Sequence, residues 1–333
     1  MSGTEWDTSH LDQRIAAALQ IDGRASWTRI AEAIGESERT VSRRGTNLLD
    51  SGKVRIRAMP NPIRVRHAEG FVVKLSCAPG TTAIAVSALA QRPEVLYAYM
   101  LTGSADGAAE LAIPANAVED LVTRDLGAIP GVVSTATYPV LSYFTTMHQW
   151  RPPLLSDDEI AAIGADEYLT APNVADTHTP PLRREDKALA RALSRDGRAA
   201  LDDLVKESGL SVQTVRKRVD SMRRDGTLYI RAVFEPALLG LELEVMLWVK
   251  IAYPSLDRVG AIISASRSVR YAAVLAGDYQ LVVNAVFPDR IAFYQYLRTA
   301  EWVGLAHSIE PTVVVSSLKR SGVLATDHRI DRW

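Results

Sequence analysis

The sequence repeats itself over most of its 333 residues, at a constant shift of 174 positions. Gly23-Arg24-Ala25 corresponds to Gly197-Arg198-Ala199, and Ile56-Arg57-Ala58 corresponds to Ile230-Arg231-Ala232. Later pairs keep the same register: Pro62 with Pro236, Tyr97 with Tyr271, Gly103 with Gly277, Ser134 with Ser308. A register held over this distance predicts two copies of one folding unit joined by a linker.

The linker is expected over residues 147–183. It contains five prolines, which discourage regular structure: Pro152, Pro153, Pro172, Pro180 and Pro181. Within it, Ser156-Asp157-Asp158-Glu159 has the pattern of a helix capping box and precedes an apolar run. The sequence therefore predicts one short helix inside the linker.

The first part of each copy is typical of a winged helix-turn-helix (HTH) unit. The helices are predicted at 12–20, 27–34 and 38–51 in copy one, and at 185–195, 200–208 and from 212 onward in copy two. Gly35 and Gly209 suit the tight turn before the third helix, and Ser37 and Ser211 suit its N-cap. A buried stripe is predicted on the third helix of copy two, from Val212, Val215, Val219 and Met222.

Positive charge is concentrated on the same element twice, although the whole chain has a net charge of −1. Residues 37–57 carry six basic and two acidic side chains, and residues 211–231 carry the same numbers. One such helix alone could be a solvated basic face, but two copies with basic wings favour phosphate contacts, with the third helix in the major groove of double-stranded DNA. The predicted DNA-binding residues are Ser37, Arg39, Thr40, Arg43, Arg44, Arg55, Ser211, Gln213, Thr214, Arg216, Lys217, Arg218 and Arg224.

Gly45 departs from this pattern because it stands where copy two has Val219. A glycine inside a helix costs about 1 kcal/mol relative to alanine. We therefore expect Gly45→Ala or Gly45→Val to raise thermal stability and copy two to bind DNA more strongly, unless a neighbour such as Trp27 fills the space.

The second part of each copy predicts the strand and helix order βαββαβ. The elements are expected at 71–77, 82–91, 94–101, 108–113, 116–126 and 132–145, and again at 242–252, 255–266, 269–275, 280–287, 289–300 and within 303–318. This order folds as a ferredoxin-like antiparallel sheet with two helices on one face. The other face needs a partner, and we assign to it Val73 and Leu75 in copy one and Leu247, Val249 and Ile251 in copy two.

The predicted fold class is therefore α+β, a winged HTH plus a ferredoxin-like βαββαβ domain, repeated twice. The predicted domains are an HTH at 1–62, an α/β domain at 63–146, the linker at 147–183, a second HTH at 184–236 and a second α/β domain at 237–333.

Together these elements resemble the Lrp/AsnC (feast/famine) family of transcription regulators. The resemblance rests on Ser211, Thr214-Val215, Arg218-Val219, Gly226-Thr227-Leu228, Pro236, Leu239-Gly240 and Ala276-Gly277-Asp278-Tyr279-Gln280-Leu281. It implies a sequence-specific regulator that responds to an amino acid or related small molecule, with an effector site near Gly277, Asp278 and Tyr279. The weaker match at Gly103 and Ser104 puts an equivalent site there in doubt, and Gly277-Asp278 is also simply a good hairpin turn.

The resemblance also bears on assembly. One chain has the parts of a conventional family dimer, and such dimers assemble further. We expect at least a dimer of chains, reading half-sites about one helical turn, roughly 34–36 Å, apart or multiples of it.

Other classes of function are weaker on sequence. The six histidines have no metal-ligand spacing, no cofactor motif is present, and Cys77 is read as a small hydrophobe, so we expect no metal, no cofactor and no enzyme activity. Sirohaem decarboxylases resemble this family, but strands 94–99 and 269–274 lack the histidines such enzymes carry there. A sequence-tolerant chromatin organiser remains the third alternative. With neither a signal peptide nor a membrane span in the sequence, we expect a cytoplasmic protein.

Overall fold

The computed structural model describes residues 8–164 and 182–325. Copy one begins with the HTH helices and continues into the α/β unit. In chain order its elements are α1 (His10–Ile21), α2 (Trp27–Ile34), α3 (Glu38–Asp50), β1 (Arg55–Pro60), α4 (Pro62–Arg66), β2 (Ala68–Cys77), α5 (Thr82–Ala90), β3 (Val95–Leu101), β4 (Gly107–Pro114), α6 (Val118–Asp120) and β5 (Val132–Thr145). The helix predicted at 116–126 is interrupted, because a 3-10 turn precedes α6 and a π-helical turn, Leu121–Asp125, follows it.

The linker helix and copy two follow. Their elements are α7 (Asp157–Ile163), α8 (Arg184–Arg195), α9 (Leu201–Ser208), α10 (Val212–Arg224), β6 (Leu228–Val233), β7 (Leu243–Lys250), α11 (Leu256–Ala265), β8 (Val269–Leu275), β9 (Leu281–Phe287), α12 (Arg290–Thr299), β10 (Ser308–Arg320) and β11 (Val323–Leu324). The prediction of a winged HTH and a mixed α/β unit in each copy is confirmed.

The two wings pair with each other. β1 and β6 form a two-stranded antiparallel ribbon in which Arg57 lies opposite Arg231. These residues are 174 positions apart, so an approximate two-fold axis passes through this pair. Arg24 donates to the carbonyl of Gly197 (2.7 Å), and its counterpart Arg198 donates to that of Gly23 (2.9 Å). One continuous apolar core spans both HTH units, which therefore form a single body.

The α/β units share a closed barrel. Each half contributes a four-stranded antiparallel sheet, in the orders β3-β4-β2-β5 and β8-β9-β7-β10. The long last strands exchange partners: β5 leaves β2 to pair with β8, and β10 leaves β7 to pair with β3. The registers repeat at the same shift, since Val140 lies opposite Leu275 and Val314 opposite Leu101. The barrel therefore has the same approximate two-fold axis as the ribbon.

The paired sheet face is the opposite of the one we predicted. Leu247, Val249 and Ile251 pack under the helices of copy two, and Val73 and Leu75 pack under those of copy one. The barrel interior is formed by the alternate residues, including Val72, Tyr97, Tyr99, Met246, Trp248 and Tyr271. Because side chains alternate along a strand, an error of one residue reverses the face.

The predicted linker helix is present as α7. Ser156 accepts from the backbone of Glu159 and the Glu159 side chain returns to the backbone of Ser156, which is the predicted capping box. Ile160 and Ile163 join the core of the HTH body. Pro172, Pro180 and Pro181 lie outside the described residues. Within residues 8–164 and 182–325, none of the helices is long and apolar enough to cross a membrane.

Candidate nucleic-acid interface and effector turns

Both recognition helices begin in the same way. Gly35 and Gly209 end the preceding helices in the left-handed conformation, each with a φ of 70°. Ser37 accepts from the backbone of Thr40, and Ser211 accepts from that of Thr214. These four Ser and Thr side chains act first as caps, because their hydroxyls also bond to each other within each copy at 2.8 Å. The caps fix the start of α3 and α10 at the protein surface.

Arg44 and Arg218 are held inside the HTH units. Arg44 pairs with Asp12 of α1 at 2.8 Å, and Arg218 pairs with Asp186 of α8 at the same distance. All four residues occupy equivalent positions in the two copies. The pairs fasten each recognition helix to the first helix, so these arginines are less available for DNA than the sequence suggested.

The exposed cations differ between the copies. In α3 these are Arg39 and Arg43, and in α10 they are Arg216, Lys217 and the ion-paired Arg224, with Gln213 also exposed. Arg55 on the wing is partly buried.

The basic charge counted in copy two is only partly at the surface. Arg223 is buried and pairs with Asp22 at 2.6 Å, and Arg231 is buried in the ribbon. Arg224 is exposed but pairs with Asp220 at 2.9 Å. Counting residues along the sequence therefore overstated the cationic surface of copy two, and the structure gives no reason to rank it above copy one.

Gly45 is required by a close contact. A β-carbon built there would lie 2.4 and 2.5 Å from two ring atoms of Trp27. The indole is itself covered by the guanidinium of Arg198, 4.5 Å from the ring centroid. Trp27 thus fills the volume that Val219 occupies in copy two, and the predicted gain of stability from Gly45→Val is not supported.

Each predicted effector turn lies against the exchanged strand of the other copy. A β-carbon at Gly103 would meet Thr312 of β10, and one at Gly277 would meet Tyr138 of β5. Both glycines have positive φ, 100° and 139°, which L side chains rarely adopt. Asp278 is exposed at the tip of its turn. The two turns are therefore equivalent in backbone, although only copy two has the Gly-Asp-Tyr sequence.

Glu310 draws side chains of both copies into one cluster. It accepts from Ser104, from Lys74 (3.1 Å) and from the hydroxyl of Tyr279. Lys74 also lies 4.6 Å from the ring centroid of Trp248. Burial acts to raise the pKa of Glu310, but the hydrogen bonds from Tyr279 and Lys74 bring it below its usual value. We call Lys74, Ser104, Tyr279 and Glu310 the turn cluster.

Sequence reasoning missed Lys74, Trp248 and Glu310 in this region. Lys74 and Trp248 stand at equivalent positions of the two copies. The one signal in the sequence is that the repeat places a lysine in copy one at the position of a tryptophan in copy two. The approximate two-fold axis then brings these two residues to face each other.

Family models match three segments of the chain. The AsnC-type helix-turn-helix domain matches residues 9–48, the Lrp/AsnC ligand-binding domain matches 71–148, and a winged helix-turn-helix DNA-binding domain matches 186–228. An uncharacterised HTH-type transcriptional regulator of Pyrococcus furiosus is 30% identical over 142 residues, which is 93% of that protein and 42% of this chain. This chain belongs to the Lrp/AsnC family. A second such regulator of P. furiosus is 23% identical over 151 residues, 97% of its length and 43% of this chain.

A solved structure shares the complete double layout of this Lrp/AsnC chain. The siroheme decarboxylase NirDL aligns over 98% of this chain and 97% of its own, with a TM-score of 0.59 and 13% identity. At that identity the likeness shows a common fold of two HTH and two α/β units, and it carries no activity across. Within the described residues, no group of three or more His, Cys, Asp or Glu side chains could hold a metal ion.

Proposed function

We propose that this Lrp/AsnC chain is a transcription regulator that binds DNA through α3 and α10 together. The supporting observation is the single HTH body, in which two capped helices present Arg39 and Arg43 on one side and Arg216 and Lys217 on the other. A rigid pair of reading helices related by an approximate two-fold axis suits two half-sites of one operator. Their different side chains imply that these half-sites differ in sequence.

The test measures DNA affinity by fluorescence anisotropy on an operator selected from random duplexes. Two double variants are compared with the parent at several salt concentrations: Arg39→Ala with Arg43→Ala, and Arg216→Ala with Lys217→Ala. Each should weaken binding by about 1–3 kcal/mol for every base-specific hydrogen-bonding side chain removed, and should flatten the salt dependence where a phosphate-binding side chain is removed. Arg258→Ala with Arg290→Ala is the matched control, because both side chains are exposed on helices outside the HTH body.

Two outcomes would contradict the proposal in different ways. If both HTH variants bind like the parent, α3 and α10 are not the interface. If operator and random DNA bind equally well at the same salt, the chain is a sequence-tolerant organiser of DNA.

We also propose that the turn cluster senses a small effector such as an amino acid. Asp278 would receive an ammonium group and the backbone amides near Gly277 a carboxylate. The partly buried Lys74–Glu310 pair supports this, because a charged ligand at the exposed turn would compete with it. Glu310→Gln should change the effector dependence of DNA binding and leave effector-free DNA affinity unaltered.

Further assembly is part of the proposal. Leu141 and Val315 are equivalent positions on the two exchanged strands, and they are 48% and 52% exposed. An apolar pair repeated about the axis suits contact with a second chain. Light scattering at micromolar concentration should therefore give the mass of at least two chains. The double variant Leu141→Lys with Val315→Lys should lower the measured mass toward that of one chain.

We propose no enzyme activity. Strands 94–99 and 269–274, where the resemblance to sirohaem decarboxylases implies histidines, hold Tyr97, Tyr99 and Tyr271. Visible absorbance of the protein mixed with an iron porphyrin should show no specific tetrapyrrole complex.

A further inference from the structure

A cavity of about 70 Å³ lies between the wing ribbon and the end of the barrel. Met59, Tyr229 and Arg231 of the ribbon line one side, and Gly70 and Glu110 of the barrel line the other. The remaining lining is largely apolar and aromatic, including Tyr97, Tyr143, Met147, His148 and Tyr271. The cavity is small and would hold several waters or a few heavy atoms. Its largely apolar lining carries a few convergent polar groups, as the lining of ligand sites does.

Arg231 is a buried cation that lacks an anionic partner. Only 5% of the residue is exposed, and its guanidinium makes neither a hydrogen bond nor an ion pair with any residue that the structure describes. Burial, with Arg270 nearby, lowers the pKa of Arg231 to about 9, which still leaves it charged at neutral pH. A buried charge without a partner is costly, so the position is suited to receive an anion.

Glu110 is the opposite case in the same cavity. It is 3% exposed, and in the described chain its carboxylate accepts one hydrogen bond, from the hydroxyl of Tyr143 at 2.7 Å. Burial raises the pKa of Glu110 to about 7 despite that bond. Among the described residues, the buried hydroxyls of Tyr97 and Tyr271 close by have no hydrogen-bond partner.

In copy two the equivalent position is filled by buried charged side chains. Glu244, Arg270 and Arg320 stand there at the positions of Gly70, Leu96 and Thr146. Glu244 accepts from Arg270 at 3.0 Å and from Arg320 at 2.8 Å, all three being buried. Burial would raise the pKa of Glu244, but the two arginines hold it at about 2.

Copy one has its carboxyl at a different position, Glu110, and none of the described cations forms an ion pair with it. Copy two has asparagine at the corresponding position, Asn284, which donates to Glu244 at 3.0 Å. The two arginines that bind Glu244 in copy two are replaced in copy one by Leu96 and Thr146. The space that the arginine side chains would fill is part of the cavity.

We infer that this cavity is a second effector site that binds a small free amino acid, with its ammonium on Glu110 and its carboxylate on Arg231. The ligand would supply a cation for Glu110, as Arg270 and Arg320 do for Glu244 in copy two, and an anion for Arg231. Since Arg231 belongs to the ribbon and Glu110 to the barrel, the bound amino acid would join the HTH body to the α/β barrel. The regulatory part of this inference rests on the proposed DNA-binding function, whereas the binding itself does not.

Isothermal titration of the full chain with glycine, L-alanine and L-valine tests the inference. Propionate and ethylamine are the matched ligands that carry only one of the two charges. We expect saturable binding of at least one amino acid, with each single-charge ligand at least tenfold weaker. Glu110→Gln and Arg231→Gln should each weaken amino-acid binding about ten- to hundredfold, the effect expected when a charged hydrogen-bond partner is removed.

Two further variants make the result decisive. Thr146→Arg copies the residue that fills the site in copy two, and it should abolish amino-acid binding while the protein stays folded by near-ultraviolet circular dichroism. Glu69→Gln removes an exposed carboxylate of the same strand as Gly70 and should change nothing.

DNA affinity without amino acid is measured on the same samples. If the parent chain does not bind DNA, the proposed function is wrong. Retained DNA binding with no amino acid bound, or with binding that survives both Glu110→Gln and Thr146→Arg, would overturn the cavity site alone.

Discussion

Gly45→Val provides a direct test of how the first recognition helix is packed. Its β-carbon would lie 2.4 Å from the indole of Trp27, and the ring cannot move away freely because Arg198 stacks on it. Overpacking of this kind costs about 1–3 kcal/mol, while removing a helical glycine gains about 1 kcal/mol. We expect a net loss of about 1 kcal/mol for Gly45→Ala and about 2 kcal/mol for Gly45→Val.

Copy two supplies the compensating change. Leu201 and Val219 stand at the positions of Trp27 and Gly45. Trp27→Leu alone should also destabilise, because it leaves a cavity beside the glycine. The double variant, Trp27→Leu with Gly45→Val, recreates the copy-two pair. It should be more stable than the sum of the single losses by about 0.5–3 kcal/mol, the usual coupling of residues that touch each other.

Urea unfolding followed by far-ultraviolet circular dichroism measures all four proteins of this cycle. Gly304→Ala is the control, since nothing lies within 4 Å of its added β-carbon. A stability gain for Gly45→Val, or strict additivity in the double variant, would refute the argument that Trp27 occupies the missing volume.

Three other substitutions test the charged parts of the fold. Glu244→Gln should cost about 3–5 kcal/mol in urea unfolding, because it leaves the buried Arg270 without a carboxylate and leaves Arg320 with only the partly exposed Glu235, at 3.1 Å; a loss below about 1 kcal/mol would contradict the network. Asp186→Asn should release Arg218 and speed amide exchange in α10 more than in α3, and equal protection of α10 in parent and variant would count against the anchoring role. The folded state raises the pKa of Glu110 to about 7, so between pH 4.5 and 7 the folded protein holds a proton that the unfolded chain releases. Stability should fall by up to about 3 kcal/mol over that window as pH rises, and Glu110→Gln should abolish this fall.

The order and type of most elements could be predicted from the sequence because local signals agreed with the fold. Ser37 and Ser211 are the N-caps that were expected, and β8 spans the predicted 269–275. Val212 was placed in the buried stripe of α10 but is 44% exposed, since it is the first residue of the helix. Helix boundaries and end residues are the weakest part of such predictions.

Two other features could not be read from the sequence for physical reasons. The strands of the barrel are buried on both faces, so the apolar pattern of β7 gives no clue to which face meets the helices. The surface charge of α10 could not be counted along the chain either. Asp22, which binds Arg223, is 201 positions away, and only the fold brings them together.

The covalent duplication has a consequence for how this molecule can change over time. In a homodimer every substitution appears twice, and both sites it creates are identical. Here β5 and β10 lock two separately encoded halves into one barrel, so each substitution acts on one side only. Glycine at position 70 and glutamate at position 244 can therefore coexist. The copy-two side of the barrel is closed by its own charges and the copy-one side keeps a cavity, a difference that two identical copies of one chain could not encode.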